Sequence, residues 1–293
     1  RFIRRSSWRW SKRSRPTMKP PDGDDRSRRP MSFAATLIPM SKVQAAWVQV
    51  QQPGRPSVEA RAVLDTFAAH ELPTLTGSLK QMQRGRVELS PEVLVFGDHD
   101  VMRAAFKRLS VDGPWLADYP TGVEPFLRRT MRATTLGQAR AQVEESGRAS
   151  FLKPRDARKR FTGFVYSPGN DGFAFAGASR SLPVWCSDPL EFGDEFRAYV
   201  CEGTVIGTTV YKGTKPDAVE GVEQFATKVV RALEQADSAV AGYSIDIGRT
   251  ADGLAVVECN DGFALGLYDG VDAERYTDLL CARWSELMRT RSA

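Results

Sequence analysis

The chain reads as an α+β protein with a small α/β domain in front, and three observations carry that reading. Apolar strand-like runs alternate with amphipathic stretches over residues 43–125, as in a small α/β unit. Eight strand segments follow between 149 and 259, mostly antiparallel candidates joined by glycine-containing turns. Two stretches at helical spacing, 217–236 and 272–290, each present one apolar stripe that belongs to a core.

Taken in order, Ala45-Ala-Trp-Val-Gln-Val50 predicts a strand and Pro53-Gly54 a turn. Residues 57–70 predict a helix with Val58, Ala62, Val63 and Phe67 on one face, and 72–76 a short strand. Val93-Leu-Val-Phe96 is a compact apolar strand, followed by Gly97-Asp98 and a helix through Val101, Ala105, Phe106 and Leu109. Residues 126–147 predict a connector and a helix. The later strands are expected at 149–153, 161–166, 173–178, 183–186, 195–201, 204–211, 242–247 and 254–259.

Composition narrows the function classes. No run of 18 or more apolar residues occurs, so a membrane span is not expected. Cys186, Cys201, Cys259 and Cys281 form no CxxC pair, which argues against zinc or a disulfide framework and fits a reducing cytoplasm. With only His70 and His99, a histidine-rich metal site is out of reach. The formal net charge is +5, but residues 1–30 hold eleven Arg/Lys against three acids, which leaves residues 31–293 at −3. That basic arm reads as disordered; nucleic-acid binding, targeting and an inert extension are all open to it, and the mildly acidic remainder gives no electrostatic footprint for nucleic acid.

Chemistry gathers in four places. Tyr243-Ser-Ile-Asp-Ile-Gly248 and Val256-Val-Glu-Cys-Asn-Asp-Gly262 set oxygen-bearing side chains inside apolar strands. Glu258 and Asn260 project to one face because strand side chains alternate. Carboxylate and amide oxygens so placed suit Mg²⁺; surface acids at strand ends are the plainer alternative. Asp246, on a half-buried strand, calls for a positive partner. Glu195-Phe-Arg-Ala-Tyr-Val200 alternates so that Glu195, Arg197 and Tyr199 share a face, where Arg197 either neutralises phosphate or makes a cross-strand salt bridge. A hairpin through Glu202-Gly203 brings Lys212 beside it. Lys153 ends an apolar strand ahead of the basic run Arg155-Asp-Ala-Arg-Lys-Arg160, able to reach over a triphosphate or simply to be solvated. No GxxxxGK[ST] or GxGxxG occurs.

This order of motifs resembles the ATP-grasp superfamily, in particular a little-characterised bacterial and phage clade marked by one arginine and two lysines. The resemblance runs from about Phe126 to Tyr268 through Phe-Leu-Lys-Pro, Phe-Thr-Gly, Pro183-Val-Trp-Cys-Ser-Asp188, Glu-Phe-Arg, Tyr-Lys-Gly, Asp246-Ile-Gly and Glu258-Cys-Asn-Asp-Gly. It implies an ATP-grasp module of two lobes over 126–293, preceded over 31–125 by a region similar to the pre-ATP-grasp domain. It further implies that Lys153 meets the α/β-phosphates, that Lys159, Thr162 and Gly163 belong to a loop closing over them, and that the Val184–Asp188 hinge reads adenine, with Ser187 in it. Glu195 and Arg197 would line the site, Arg197 and Lys212 would approach the γ-phosphate, and Asp246, Glu258 and Asn260 would hold Mg²⁺. The hinge departs from many relatives in reading Trp-Cys-Ser. The implied activity is an ATP-dependent carboxylate–amine ligase acting through an acylphosphate. A nucleotide-binding regulatory protein without turnover, and a nucleic-acid binder acting through the arm, are the rival readings.

Overall fold

The computed structural model describes residues 42–51, 55–113, 115–155, 161–170, 173–213, 219 and 221–290. The basic arm and Lys159 lie outside the described residues. The first sheet is three-stranded and parallel, in the order β2-β1-β3, from β1 (Ala45–Gln49), β2 (Thr74–Gly77) and β3 (Val93–Phe96). Helix α1 (Val58–Ala69) connects β1 to β2, with Ser57 capping its first turn by accepting the Ala60 N–H. The short α2 (Leu79–Gln83) leads to β3, and α3 (His99–Leu109) follows, capped by Asp98. His99 is thus the first residue of a helix.

A second, antiparallel sheet in the order β4-β7-β5-β6 forms the small lobe, from β4 (Arg132–Thr135), β5 (Ser150–Pro154), β6 (Phe164–Tyr166) and β7 (Pro183–Ser187). Helix α4 (Leu136–Ser146) covers one face, closing a core around Leu136, Val143, Leu152, Val184 and Cys186. Two sequence expectations fail here. The connector before α4 contains a strand, β4, whose polar Arg-Ala-Thr-Thr lies at the sheet edge and has no apolar pattern to announce it. Residues 173–178 are not a strand: Phe173–Phe175 is one 3-10 turn that buries Phe175 and leaves Phe173 82% exposed. Gly177, at φ +79°, ends the stretch in a conformation no strand uses.

The third sheet, β11-β10-β8-β9, is antiparallel and comprises β8 (Glu195–Cys201), β9 (Thr204–Lys212), β10 (Gly242–Thr250) and β11 (Gly253–Asp261). Helix α5 (Val222–Gln235) starts five residues later than its apolar pattern suggests, because Gly221 sits at its N-cap with φ +80°. It packs on the face formed by Phe196, Ala198, Val200, Ile245 and Ile247. The last helix, α6 (Ala273–Arg289), packs against α1, β8 and β10 and shares a core with the first sheet, Tyr199 and Cys201. Arg283 of α6 is fully buried, donating to Asp261 at 2.7 and 2.6 Å and to Glu286 at 2.6 Å. All four cysteines are buried and free. Among the described residues no helix is long and apolar enough to cross a membrane.

Candidate active site

Cross-strand register places the charged residues of the third sheet in one row. Glu258 pairs opposite Asp246, Asp246 opposite Arg197, and Arg197 opposite Thr209. Directly opposed residues in an antiparallel sheet share a face, so this row lies on one side. The other side carries the apolar residues that meet α5. One step along, Asn260 opposes Ser244, which opposes Tyr199.

Arg197 donates two hydrogen bonds to Asp246, Nε to Oδ1 at 2.7 Å and a terminal nitrogen to Oδ2 at 2.8 Å. Asn260 adds its amide at 3.1 Å to Oδ2. The guanidinium lies 5.5 Å from the Tyr211 ring and 5.3 Å from the Tyr268 ring, which favours the cation further. Asp246 is 1% exposed. Burial pushes its carboxyl above the usual carboxylate range, and the hydrogen bonds and charge of Arg197 pull against that rise. Asp246, expected on a cation, is therefore the arginine's partner here, because a buried carboxylate directly opposite an arginine finds its countercharge within the sheet.

Lys153 reaches this row from the small lobe. It stands on β5 opposite Trp185 and makes ion pairs with Glu258 and with Asp118, the latter at 2.5 Å. Burial, the largest single influence, lowers its pKa, but Glu258 and Asp118 together outweigh it and raise the value, so the ammonium stays charged. Phe151, Lys153 and Trp185 share one face of the small-lobe sheet, opposite the core side chains Leu152, Val184 and Cys186. Arg129 lies 5.5 Å from the Phe151 ring, and Arg155 4.7 Å from the Trp185 ring. Glu195, buried at the start of β8, accepts from Tyr211 at 2.9 Å and from Lys212, whose side chain is 61% exposed.

The remaining expected residues fall into two groups. Gly163 lies against β5: a Cβ there would stand 2.8 Å from the Phe151 ring and 3.4 Å from Lys153, so glycine permits the approach, while Thr162 is exposed. Val184, expected to read adenine, is a core residue with 0% exposure whose backbone pairs with Thr134 on one side and Pro154 on the other. A strand interior spends its polar groups on its neighbours. Ser187 ends the strand, pairing with Phe151 and donating its hydroxyl to the Asp188 carbonyl at 2.9 Å. Asp118, Tyr211 and Tyr268 join the site without having been expected there. Asp118 lies in a loop with no periodicity to mark it, whereas Tyr211 beside Lys212 and Tyr268 after the Glu258-Cys-Asn segment stand within the segments that carry the motif.

Among the described residues no group of three His, Cys, Asp or Glu is arranged to hold a metal. The donor set Asp246, Glu258 and Asn260 nonetheless has the chemistry Mg²⁺ takes, one or two carboxylates with the remaining positions left to phosphate and water. Glu258 and Asn260 are partly exposed, Glu258 with 23% of its side chain accessible.

Two antiparallel four-stranded sheets linked by the Lys153–Glu258 ion pair, following a parallel three-stranded unit, define an ATP-grasp architecture. A family model for the ATP-grasp domain, family 2 of the clade named for one arginine and two lysines, matches residues 126–279, and the chain belongs to that family. The ATP-grasp ligase PsnB complexed with a minimal precursor superposes with a TM-score of 0.50 at 16% identity, over 83% of this chain and 99% of that one. N5-carboxyaminoimidazole synthase from Aspergillus clavatus, in complex with ADP and an aminoimidazole ribonucleotide, gives 0.50 at 11% identity, over 85% and 77%. At such identities the likeness speaks for the fold alone. No curated protein matches the chain.

Proposed function

We propose that the chain is an ATP- and Mg²⁺-dependent ligase that joins a carboxylate to an amine through an acylphosphate. The observation that carries this reading is the single cluster formed by Lys153, Arg197, Glu258, Asp246 and Asn260, drawn from two facing sheets. Cations for phosphate and oxygens for a divalent metal are interleaved within it. That arrangement suits phosphoryl transfer, in which the protein's task is positioning and charge neutralisation.

In this reading Lys153 contacts the inner phosphates and the base lies toward the cleft face of Trp185, with the 188–194 segment taking over the adenine-reading role expected of Val184. Ser187 stays at the entrance to that segment, and Thr162 and Gly163 would belong to the covering loop. Glu258, Asn260 and Asp246 would hold the cation, and Asp246 also orients Arg197 and Asn260 through its hydrogen bonds. When bound, the metal would supply neutralisation of phosphate charge. Arg197 and Lys212, steadied by Glu195, stabilise negative charge while a substrate carboxylate oxygen bonds to the γ-phosphorus and the bond to ADP breaks. The amine then attacks the acyl carbon, loses a proton, and inorganic phosphate departs.

The test is ADP release across a pool of amino acids and small peptides. Glu258→Gln and Asn260→Ala are expected to abolish amine-dependent release while circular dichroism and melting stay close to wild type. Full activity in both variants sinks the assignment. Nucleotide binding with no release under any acceptor leaves a regulatory binding protein instead.

A further inference from the structure

We infer that Asp118 is a positioning residue for the nucleotide: its carboxylate holds the Lys153 ammonium until a phosphate oxygen takes its place. Its charge thereby sets how tightly, and in which form, the nucleotide binds. The inference rests on the reading above that Lys153 contacts the inner phosphates. It adds a residue from outside the span 126–279 that matches the family.

The backbone around Asp118 is fastened to the third sheet and to α5. The Asp118 carbonyl accepts the Cys259 N–H of β11 at 2.9 Å. Just before it, the Leu116 N–H donates to Asp261 at 2.8 Å. Just after it, the Thr121 carbonyl accepts the Ser238 hydroxyl at 2.6 Å. Gly122, at φ +94°, lies so close to α5 that a Cβ would stand 2.7 Å from the Ala232 carbonyl oxygen. The main chain is thus held on both sides of Asp118, while its side chain, 35% exposed, can turn toward water.

From that anchorage two side chains reach the small lobe. Asp118 Oδ2 lies 2.5 Å from the Lys153 ammonium, which also pairs with Glu258. The buried Tyr119 sets its ring 5.6 Å from the same ammonium and perpendicular to the Trp185 ring, with centroids 5.5 Å apart. Lys153 and Trp185 stand opposite each other on neighbouring strands, so both contacts land on one sheet face. The lysine side chain is only 12% exposed, so a phosphate oxygen reaches it by displacing a carboxylate.

Their surroundings decide which carboxylate yields. Glu258 exchanges the ammonium for Mg²⁺ in the reading above, and its charge stays compensated. Asp118 is the more exposed of the two, 35% against 23%, so water can take up its charge. Withdrawal costs least there. Because its backbone is tied down, the displaced carboxylate stays near the phosphates and repels them. Metal-free ADP carries more negative charge than Mg·ADP and meets the stronger repulsion. Asp118 therefore weakens binding of both forms and favours the metal-bound one.

The experiment is calorimetry of ADP binding to the full chain, with and without Mg²⁺. Asp118→Asn keeps the shape of the side chain and leaves Lys153 paired with Glu258, so folding is not at stake. It is expected to bind Mg·ADP about tenfold more tightly than wild type, the scale of one charge-assisted hydrogen bond. Metal-free ADP should gain by a larger factor, so the benefit of adding Mg²⁺ shrinks. Asp118→Glu keeps the charge and should stay within about twofold of wild type. Unchanged affinity in Asp118→Asn marks a purely structural carboxylate and overturns the inference. Weaker binding makes Asp118 a ligand of the nucleotide's metal and overturns it too, as does equal tightening in Asp118→Glu. ADP binding that Asp118→Asn leaves untouched spares the ligase reading. No ADP binding by wild type or Asp118→Asn sinks both.

Discussion

Arg197 and Asp246 face each other across adjacent strands and are joined by two parallel hydrogen bonds of 2.7 and 2.8 Å inside a nearly closed sheet face. Such a pair adds little net stability when intact, but removing one member strands the other. Arg197→Met is therefore expected to cost about 3–5 kcal/mol in urea unfolding. Arg197→Met combined with Asp246→Asn should cost clearly less than the single change, and equal costs would show that the pair is not coupled.

The cluster's cations and carboxylates already satisfy one another: Lys153 with Glu258 and Asp118, Lys212 with Glu195. In the proposed reading, phosphate oxygens and Mg²⁺ replace these partners together, since either alone leaves a charge uncompensated. ADP affinity, measured by calorimetry, should rise roughly tenfold or more at saturating Mg²⁺, about 1.4 kcal/mol of coupling. Equal affinity with and without the metal contradicts this exchange of partners.

Asp278 of α6 is half-buried, and its pKa is pushed up to about 6 by burial first and then by Glu274, with His70 opposing. The folded chain keeps a proton there that the unfolded chain gives up near pH ~4. Stability from this group therefore falls as pH rises from about 4 to 6 and stays lower above that window. Asp278→Asn should stabilise the protein at about pH 7.5 by about 1 kcal/mol, after allowance for solvent screening, and have no effect at about pH 4. A melting series across pH checks both limits.

Arg283 is the largest fully buried side chain and holds Asp261, the residue after Asn260. Asp261 also accepts the Leu116 N–H at 2.8 Å, so it ties α6, β11 and the backbone at Leu116 together. Arg283→Met should lower stability by about 3–5 kcal/mol, and Glu286→Gln by much less, since Glu286 is partly exposed. Similar losses for both would place the strength of the knot at Glu286.

The residues that alternate along strands were legible in the sequence because period two fixes their faces. That is why Glu258 and Asn260, and likewise Glu195 and Arg197, could be grouped from the sequence, whereas Lys212 stands opposite Glu195 and pairs with it, with Thr209 opposite Arg197. Asp246 could be seen to need a positive neighbour, though not that Arg197 would claim both its oxygens. Asp118 was invisible, since a lone acid in a loop has no pattern. Phe-Ala-Phe between glycines mimics a strand, yet packing against Phe161 and Phe164 wound it into a turn.

Tyr199 contributes its backbone to β8 and its phenol to the segment that runs from the end of β11 to Tyr268. Tyr199→Phe would delete that tether without opening a hole, freeing the span from Gly262 to Tyr268 to drift. Slack there would unsettle Asn260 at one end and the Tyr268 ring beside Arg197 at the other, so a single phenol steadies both flanks of the charged row.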